Sequence, residues 1–402
     1  MTIQCPFLAH HLATPDVIVD PFPAYAALRE ESPVFGYADV PPGAVPGGES
    51  PSAAWAFLTF DDVVTAATNY EDFSSVGSAP GVLLVDDDPP THTRLRKLTE
   101  AVLTADRVLR ARPVIDKVVA DALIRITGKE VDAIAEIAAP VAAKVAAHFF
   151  GLDDSFPIQC RRWGTALMLS GPVTAEEHRS ALNEMVSYFS GSIGERLAKK
   201  STKDAKTNNV IDALFTVVAD GERFSQEEIL GFCLSHIVSG VDTVMYLLGN
   251  ALAILCERPG IFSDLRDDPT KISRFRDELL RFCGPAQRMY RSATRDVVVS
   301  AKQVKTGDRV ALFFGSANRD PRKYFSPDEF HLDRFVEPPH VSYGVGIHRC
   351  PGSDLANYEL ESLVSGLVSR FKIITPGEAR AIRQATTLLQ NGYLTLPLRF
   401  GA

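Results

Sequence analysis

Hydrophobic and polar positions alternate with a helical period over much of this chain. From about Pro89 to Pro285 apolar residues recur every three or four positions, which predicts a succession of helices. The residues before about Thr59 are rich in Pro and Gly, above all between Val40 and Pro51, and this composition predicts loops with short strands. The pattern therefore predicts a mainly α fold with small β-sheets.

One predicted helix is unusually long and apolar. Ser225 and Glu228 match a capping box, in which each side chain satisfies a backbone N–H group at the start of a helix. Apolar residues then continue at helical spacing to about Cys256, and His236 on the apolar face is interpreted as a core residue. A helix that is apolar over so much of its surface is expected to lie in the core.

The C-terminal half mixes helices with short strands. The predicted elements are a helix at about Lys271–Phe282, strands at Asp296–Ser300 and Arg309–Phe314, a helix at about Pro351–Phe371, and a hairpin at Thr387–Phe400 that turns near Asn391 and Gly392. The sequence shows no internal repeat and no linker-like stretch between domains. Residues 1–402 are therefore predicted to form a single domain.

Composition and charge narrow the function classes. The chain has 42 Lys and Arg against 50 Asp and Glu, so its net charge of −8 argues against a nucleic-acid partner. The longest apolar run, Ala138–Leu152, is interrupted by Lys144 and His148 and falls short of a membrane span. With no secretion signal at the N-terminus, we expect a cytoplasmic protein without a membrane partner. The six cysteines include no CxxC pair, which disfavours zinc and iron–sulfur sites.

Candidate chemistry is concentrated around Cys350, in the segment SYGVGIHRCPG at 342–352. Gly344 and Gly346 allow the backbone to turn tightly and to approach a partner closely. Pro351 is a favoured first residue of a helix, which would place the Cys350 sulfur at a helix N-terminus, where a thiolate is stabilised. A thiolate held in this way is a good axial ligand for haem iron. The alternative interpretation is a surface loop that leads a buried thiol into a helix.

This segment resembles the haem-binding loop of the cytochrome P-450 superfamily, whose pattern is Phe-Gly-x-Gly-x-His-x-Cys-x-Gly, with Tyr343 here in place of the Phe. Four further segments extend the resemblance along the chain. One contains Glu278 and Arg281, which are three residues apart on a predicted helix and resemble the family's Glu-x-x-Arg pair. The resemblance implies that Arg334 completes this group and that its role is structural. Taken alone, such a pair is usually part of a solvated helix face.

Ser239–Thr243, in the long helix, resembles the family's oxygen-activating motif. The resemblance implies that Gly240 opens a groove for dioxygen and that Asp242 and Thr243 relay protons. Ser239 stands where the family usually has Ala or Gly. The alternative interpretation is a Gly that is tolerated inside a buried helix at a cost of about 1 kcal/mol.

The resemblance also implies haem b as the cofactor. Cys350 would bind the iron, Tyr343 and Gly344 would lie beside the sulfur, and His92, Arg96, Arg291 and His348 would pair with the two propionates, since buried carboxylates need cationic partners. His92 and Arg96 are four residues apart and share a helix face. Without the other motifs, a surface pair would be the better interpretation of these two residues.

The function implied is that of a haem-thiolate monooxygenase that inserts one oxygen atom from dioxygen into a small organic substrate by hydroxylation or O-dealkylation. We expect a monomer that receives electrons from a separate ferredoxin and ferredoxin reductase. Exposed cations near Cys350 are candidate contacts for that acidic partner: Arg94, Lys97, Arg107, Arg110 and Arg349. The alternatives are a haem-thiolate ligand-binding or sensor protein and a peroxide-dependent oxygenase. The Asp242–Thr243 pair favours the monooxygenase, because a sensor needs no proton relay and peroxide-dependent chemistry usually goes with loss of such a pair.

The substrate pocket is the least defined part of the prediction. By resemblance its candidate residues are Val82, Leu84, Ser235, Val238, Ser239, Gln287, Arg288 and Leu389. The polar members favour a substrate with a carboxylate or hydroxyl group, since a buried donor without a partner is costly. Arg288 is a candidate anchor for a carboxylate, although it lies close to Arg291 and can equally serve the haem.

Overall fold

The computed structural model describes residues 14–38, 53–79, 82–126, 128–153, 155–167, 174–199, 209–334, 339–386 and 389–401. The chain divides into two compact units. Unit 1 comprises Met1–Thr93, Asp277–Cys350 and Gln384–Asn391, and unit 2 comprises Arg94–Arg276, Pro351–Arg383 and Gly392–Ala402. The single-domain assignment stays a prediction.

Helices account for most of the regular structure, as the sequence pattern predicts. They are α1 (Pro15–Val19), α2 (Phe22–Glu31), α3 (Phe60–Thr68), α4 (Thr91–Val102), α5 (Ala105–Ile126), α6 (Ala139–Phe150), α7 (Phe156–Leu167), α8 (Ala175–Lys199), α9 (Val210–Leu214), α10 (Gln226–Glu257), α11 (Pro259–Asp267), α12 (Ile272–Cys283), α13 (Phe314–Ala317) and α14 (Ser353–Arg370). A π-helix at Ile134–Ala138 precedes α6, and 3-10 turns lie at Pro269–Lys271 and Gly346–His348.

The strands are short. They are β1 (Val34–Ala38), β2 (Ala53–Phe57), β3 (Phe73–Ser74), β4 (Glu130–Asp132), β5 (Met289–Ala293), β6 (Val297–Val299), β7 (Lys302–Val304), β8 (Arg309–Leu312), β9 (Ile373–Pro376), β10 (Ile382–Arg383), β11 (Tyr393–Thr395) and β12 (Pro397–Gly401). The predicted mainly α fold with small sheets is confirmed.

Unit 1 is built around a five-stranded sheet with the order β1-β2-β8-β5-β3, in which only β2 and β8 run parallel. One core cluster, around Tyr25, Phe35, Tyr290 and Phe313, combines residues of α1, α2 and this sheet. The N-terminal prediction of loops with short strands is right for β1 and β2 but misses α1 and α2. Both helices carry Pro at their first or second position, where its missing N–H costs nothing.

Unit 2 is helical, and α10 lies at its centre, where it packs against α6, α7, α8 and α14. The predicted capping box is confirmed, because Ser225 and Glu228 each accept a hydrogen bond from the other's backbone N–H. Among the residues described, α10 is long and apolar enough to cross a membrane, but 75% of its most apolar window is buried in the fold. Its apolar character is therefore accounted for by packing.

The C-terminal hairpin prediction is right only in part. β11 pairs antiparallel with β10, which lies before the predicted range of the hairpin, and β12 lies between β4 and β9 in a three-stranded sheet. Gln390 instead forms an isolated bridge with Ala286 in unit 1. The Asn-Gly dipeptide is typical of a tight turn, but pairing with distant strands decided the outcome here.

Candidate active site

The loop before Cys350 has the shape that its glycines predict. Gly344 and Gly346 both have φ of 69°, a left-handed conformation that side chains with a Cβ adopt only with strain. A Cβ at Gly346 would also lie 3.2 Å from Cα of Thr68 in α3. The backbone N–H of Cys350 donates to the carbonyl of Tyr343 at 2.8 Å, which closes the loop and leaves the thiol half-buried.

Neighbouring polar side chains brace this loop from inside unit 1. The Asn318 amide accepts from the backbone N–H of Val341 at 2.8 Å and donates to the Ser342 hydroxyl at 2.7 Å. That hydroxyl donates in turn to the carbonyl of Leu280 in α12 at 2.6 Å. The Cys350 loop is thus tied to the helix that carries Glu278.

Glu278, Arg281 and Arg334 form a buried ionic group in unit 1. Arg281 donates to both carboxylate oxygens of Glu278 at 2.8 Å, and Nε of Arg334 donates to Oε1 at 3.0 Å. Both members of the first pair have fully buried side chains. Arg281 also donates to three backbone carbonyls of the segment from Asn318 to Glu329. The arrangement fits the structural role that the resemblance implies.

Cationic and imidazole side chains of unit 1 gather at a second position. The His92 and His348 rings lie 4.3 Å apart, and Nε2 of His348 is 2.9 Å from the Ser75 hydroxyl, on a fully buried residue. Asp88 accepts from the backbone N–H of Ser75 at 3.1 Å. Its charge raises the pKa of buried Arg291, but burial outweighs it and lowers that pKa to about 10.

Arg291 supplies the test of whether this cluster fits haem. The residue is buried, yet within the described part of the chain no carboxylate lies within salt-bridge distance of it, and its hydrogen bond goes to the carbonyl of Tyr290 at 2.6 Å. A buried guanidinium normally has an anionic partner. A haem propionate meets that need, and the imidazoles of His92 and His348 can donate to the second one. The donor set therefore fits the cofactor.

Arg96, the fourth predicted propionate residue, lies on α4 like His92 but belongs to unit 2. Its Nε donates to Glu100 one turn further along the helix at 2.7 Å. This carboxylate already neutralises part of the charge of Arg96. Of the four predicted residues, Arg96 therefore makes the weakest case for a propionate contact.

The middle of α10 presents an open, hydroxyl-bearing face in unit 2. Ser239 and Gly240 are exposed there, although most of α10 is buried, and a Cβ built at Gly240 meets no heavy atom within 4 Å. The Thr243 hydroxyl donates to the carbonyl of Ser239 at 2.6 Å, and the Ser239 hydroxyl donates to the carbonyl of Ser235 at 2.5 Å. The absence of a side chain at Gly240 leaves room for a small molecule beside Thr243.

Asp242 points away from this face, toward α7. A Cβ at Gly164 would lie 2.3 Å from Oδ1 of Asp242, so the carboxyl group occupies the space that Gly164 leaves free. The Asp242 side chain is buried, and its charge adds to the burial that raises the pKa of Cys160, one turn before Gly164. Asp242 and the Thr243 hydroxyl thus face different neighbours, and Gly164 is a site residue that the sequence interpretation missed.

Three of the predicted pocket residues pack within unit 1: Gln287 and Arg288 are buried and Leu389 is half-buried, and their role as substrate contacts stays a prediction. Gln287 donates to the carbonyl of Gly284 at 2.8 Å and fills the space beside Gly315, where a Cβ would lie 2.1 Å from its Oε1. The Arg288 guanidinium lies 5.2 and 5.6 Å from the ring centroids of Tyr290 and Phe313. Leu389 packs against the same core cluster. Within β5, residues alternate between faces, so Arg291 lies on the same face as Met289 and on the opposite face from Tyr290.

Met289 is a further candidate contact, which the sequence analysis did not identify. Its side chain is 41% exposed, which is unusual for a methionine within a core strand. Of the other predicted positions, Val82 is half-buried, Leu84 and Ser235 are buried, and the side chain of Val238 lies outside the described residues. The alternation along β5 was the sequence signal that could have placed Met289 on the face of Arg291.

Comparison with known proteins agrees with this geometry. A sequence profile of the cytochrome P-450 family matches residues 163–397. The chain is 30% identical to cytochrome P-450 130 of Mycobacterium tuberculosis over 96% of its own length and 97% of that protein, and 33% identical to cytochrome P-450 107B1 of Saccharopolyspora erythraea over 80% and 78%. The crystal structure of the LnmA cytochrome P-450 hydroxylase from the leinamycin biosynthetic pathway of Streptomyces atroolivaceus has a TM-score of 0.81 and 27% identity, with 95% and 97% of the two chains covered.

The fold and the cysteine loop define a haem-thiolate oxidoreductase. The chain belongs to the cytochrome P-450 family. It is a haem-containing monooxygenase that acts on a small-molecule substrate with dioxygen.

Proposed function

We propose that this enzyme holds haem b through Cys350 and hydroxylates or O-dealkylates a small organic substrate with electrons from a separate ferredoxin. The observation that carries the proposal is the Cys350 loop, in which two left-handed glycines and a closing hydrogen bond hold a half-buried thiol. A thiolate ligand donates electron density to the iron and favours cleavage of the O–O bond. That activation of dioxygen is the chemistry that haem supplies when bound.

The residues of unit 1 have binding roles in this proposal. The thiolate of Cys350 is the iron ligand, and Arg291, His92 and His348 pair with the propionates. The Ser75 hydroxyl fixes the ring of His348 by holding its Nε2. If the hydroxyl donates to Nε2, the proton of the neutral ring lies on Nδ1, which can then donate to a carboxylate.

The residues of α10 have proton-handling roles. The Thr243 hydroxyl now holds its proton toward the carbonyl of Ser239. Turning it outward costs about 1 kcal/mol, the usual net value of such a hydrogen bond, so Thr243 is able to deliver a proton at its Oγ1 atom beside Gly240. Asp242 faces Gly164, so it can return a proton to the Thr243 hydroxyl only after a side-chain rotation or through water.

A ferredoxin with an acidic surface is the proposed electron donor. Of the candidate cations, Arg94, Lys97 and Arg110 are already paired with acids of unit 2, namely Glu228, Asp220 and Asp106. Arg349, next to Cys350, is exposed. Because it is exposed and next to the proposed iron ligand, we expect Arg349 to contribute to the salt dependence of electron transfer.

The thiolate assignment is tested by a matched pair of variants. Cys350→Ser should abolish the red-shifted Soret band of a thiolate-ligated ferrous carbonyl complex. Cys283→Ser, which changes a buried thiol of the same unit, should retain it. A thiolate spectrum in Cys350→Ser would overturn the assignment.

The reaction class is tested by isotopic oxygen. Turnover under ¹⁸O2 with a ferredoxin system should place one labelled atom in the product or, after O-dealkylation, in the carbonyl fragment released. Label supplied only by H2¹⁸O2 would indicate the peroxide-dependent alternative. Tight ligand binding without any product would indicate the sensor.

A further inference from the structure

The face of α10 that surrounds Gly240 offers hydrogen-bond acceptors to a ligand rather than donors. Ser235, Ser239 and Thr243 recur every four residues and therefore lie on one face of the helix. Ser239 and Thr243 direct their hydroxyl protons back to the carbonyls of Ser235 and Ser239 at 2.5 and 2.6 Å. Their donors are thus already used within the helix.

A serine or threonine hydroxyl has one donor and two acceptor positions. With the proton turned to the backbone, what Ser239 and Thr243 offer outward is acceptor lone pairs. A ligand that carries O–H or N–H can donate to them without disturbing the helix. A carbonyl or carboxylate must first break a backbone hydrogen bond, which weakens its binding by about three- to tenfold for each hydroxyl recruited.

Among the described residues of unit 2, the charges closest to this face do not compensate a carboxylate. Asp242, the neighbouring charged residue along α10, is an acid turned toward α7 and adds no positive charge. Arg96, close enough to help lower the pKa of His236, is bound to Glu100.

We propose that the substrate is a neutral molecule with an apolar body and a hydroxyl or N–H donor, which Ser239 accepts. This inference rests on the proposed function, since it assumes that the substrate lies against the Gly240 face. The proposed recognition is therefore of a neutral O–H or N–H group by Ser239, in place of a substrate carboxylate by Arg288. Ser239 is then a specificity-determining residue, because the Ala or Gly usual at this position in the family has no hydroxyl to accept.

The test compares three ligands on one skeleton, bound to the haem-loaded protein. Menthol, menthone and p-menthane-3-carboxylic acid form one set, and cyclododecanol, cyclododecanone and cyclododecanecarboxylic acid form a larger one. Calorimetric dissociation constants should favour the alcohol over the ketone by about three- to tenfold and over the acid by more, in at least one set. Acids or ketones that bind as tightly as the alcohols, or alcohols that do not bind in either set, would overturn the proposal.

Two variants assign the preference to Ser239. Ser239→Ala should reduce the ratio of alcohol affinity to ketone affinity toward one. Ser362→Ala, which removes a serine hydroxyl on α14 that donates to Asp116 on α5, should leave that ratio unchanged. A ratio that survives Ser239→Ala would remove the role of Ser239. The carbonyl-complex spectrum of the same preparation reports thiolate ligation separately. Failure of the proposed function is therefore distinguishable from failure of this inference.

Discussion

Loss of the Glu278 charge should be among the most damaging single changes in unit 1. Glu278 accepts four hydrogen bonds: two from Arg281, one from Arg334 and one from the backbone N–H of His331 at 2.9 Å. In Glu278→Gln two buried guanidinium groups lose their counter-charge while the volume of the side chain is kept. Removal of one partner from a buried ion pair costs about 3–5 kcal/mol. We expect at least that loss, because the carbonyl bonds of Arg281 prevent it from moving into solvent.

The matched control is the pair Arg276–Glu361, which also involves an arginine of α12 but lies within unit 2. Both of its side chains are more than one-fifth exposed, and such pairs contribute about 0–1 kcal/mol. Glu361→Gln should therefore leave the stability almost unchanged. The two variants have the same chemistry and differ in burial, so their comparison isolates desolvation as the cause.

Urea unfolding of the haem-loaded protein measures both effects. With a denaturant slope of about 3 kcal/mol/M, Glu278→Gln should lower the midpoint by roughly 1 M or more, and Glu361→Gln by less than about 0.3 M. If Glu278→Gln does not accumulate in folded form, Arg334→Gln, at the edge of the group, should give an intermediate loss. Equal midpoints for Glu278→Gln and Glu361→Gln would refute the reasoning from burial.

Two further predictions concern haem retention and pH. Ser75→Ala should speed transfer of haem to apomyoglobin about fivefold, because a hydrogen bond to His348 worth about 1 kcal/mol is lost. The controls Ser75→Thr, which keeps the hydroxyl, and Ser78→Ala, at a neighbouring serine, should leave the transfer rate unchanged. Equal rates for Ser75→Ala and the wild type would remove the positioning role of Ser75. Burial lowers the pKa of His236 to about 4, so between pH 6.5 and 4 the unfolded chain binds a proton that the folded chain does not, and acid favours unfolding. Between pH 7 and 4.5 the free energy of unfolding of the wild type should therefore fall by about 2 kcal/mol more than that of His236→Phe, whose ring can keep the stack on Phe232. Urea unfolding at several pH values measures both, and the same pH dependence of stability in the two proteins would contradict the prediction.

Local sequence signals predicted the elements that nearby residues control. The capping box at Ser225 placed the start of α10 within one residue, because the cap and the first turn are neighbours in the chain. α12 was placed to within one residue at each end for a similar reason, its apolar residues being periodic. The last helix was expected from Pro351 but begins at Ser353, which leaves Cys350 three residues before it.

Sequence signals gave the wrong result where distant segments of the chain compete for the same strand pairing. The Asn391–Gly392 dipeptide predicts a hairpin, yet β12 pairs with strands more than 20 and more than 250 residues earlier in the chain. In the sequence, Arg288 is a candidate substrate anchor that can equally serve the haem. The structure shows that its guanidinium packs against the rings of Tyr290 and Phe313, which sequence spacing does not reveal.

The sequence by itself determined the chemistry of this protein: a cysteine behind two glycines, a glutamate and arginine one turn apart, and a long apolar helix interrupted by Gly240. These features are local, so residue type and spacing suffice to recognise them. Tertiary structure alone decided which side chains from distant segments meet: the Ser75 hydroxyl at His348, and Asp242 in the space beside Gly164. Burial and hydrogen-bond direction depend on what packs nearby, and residues far apart in the chain set that packing.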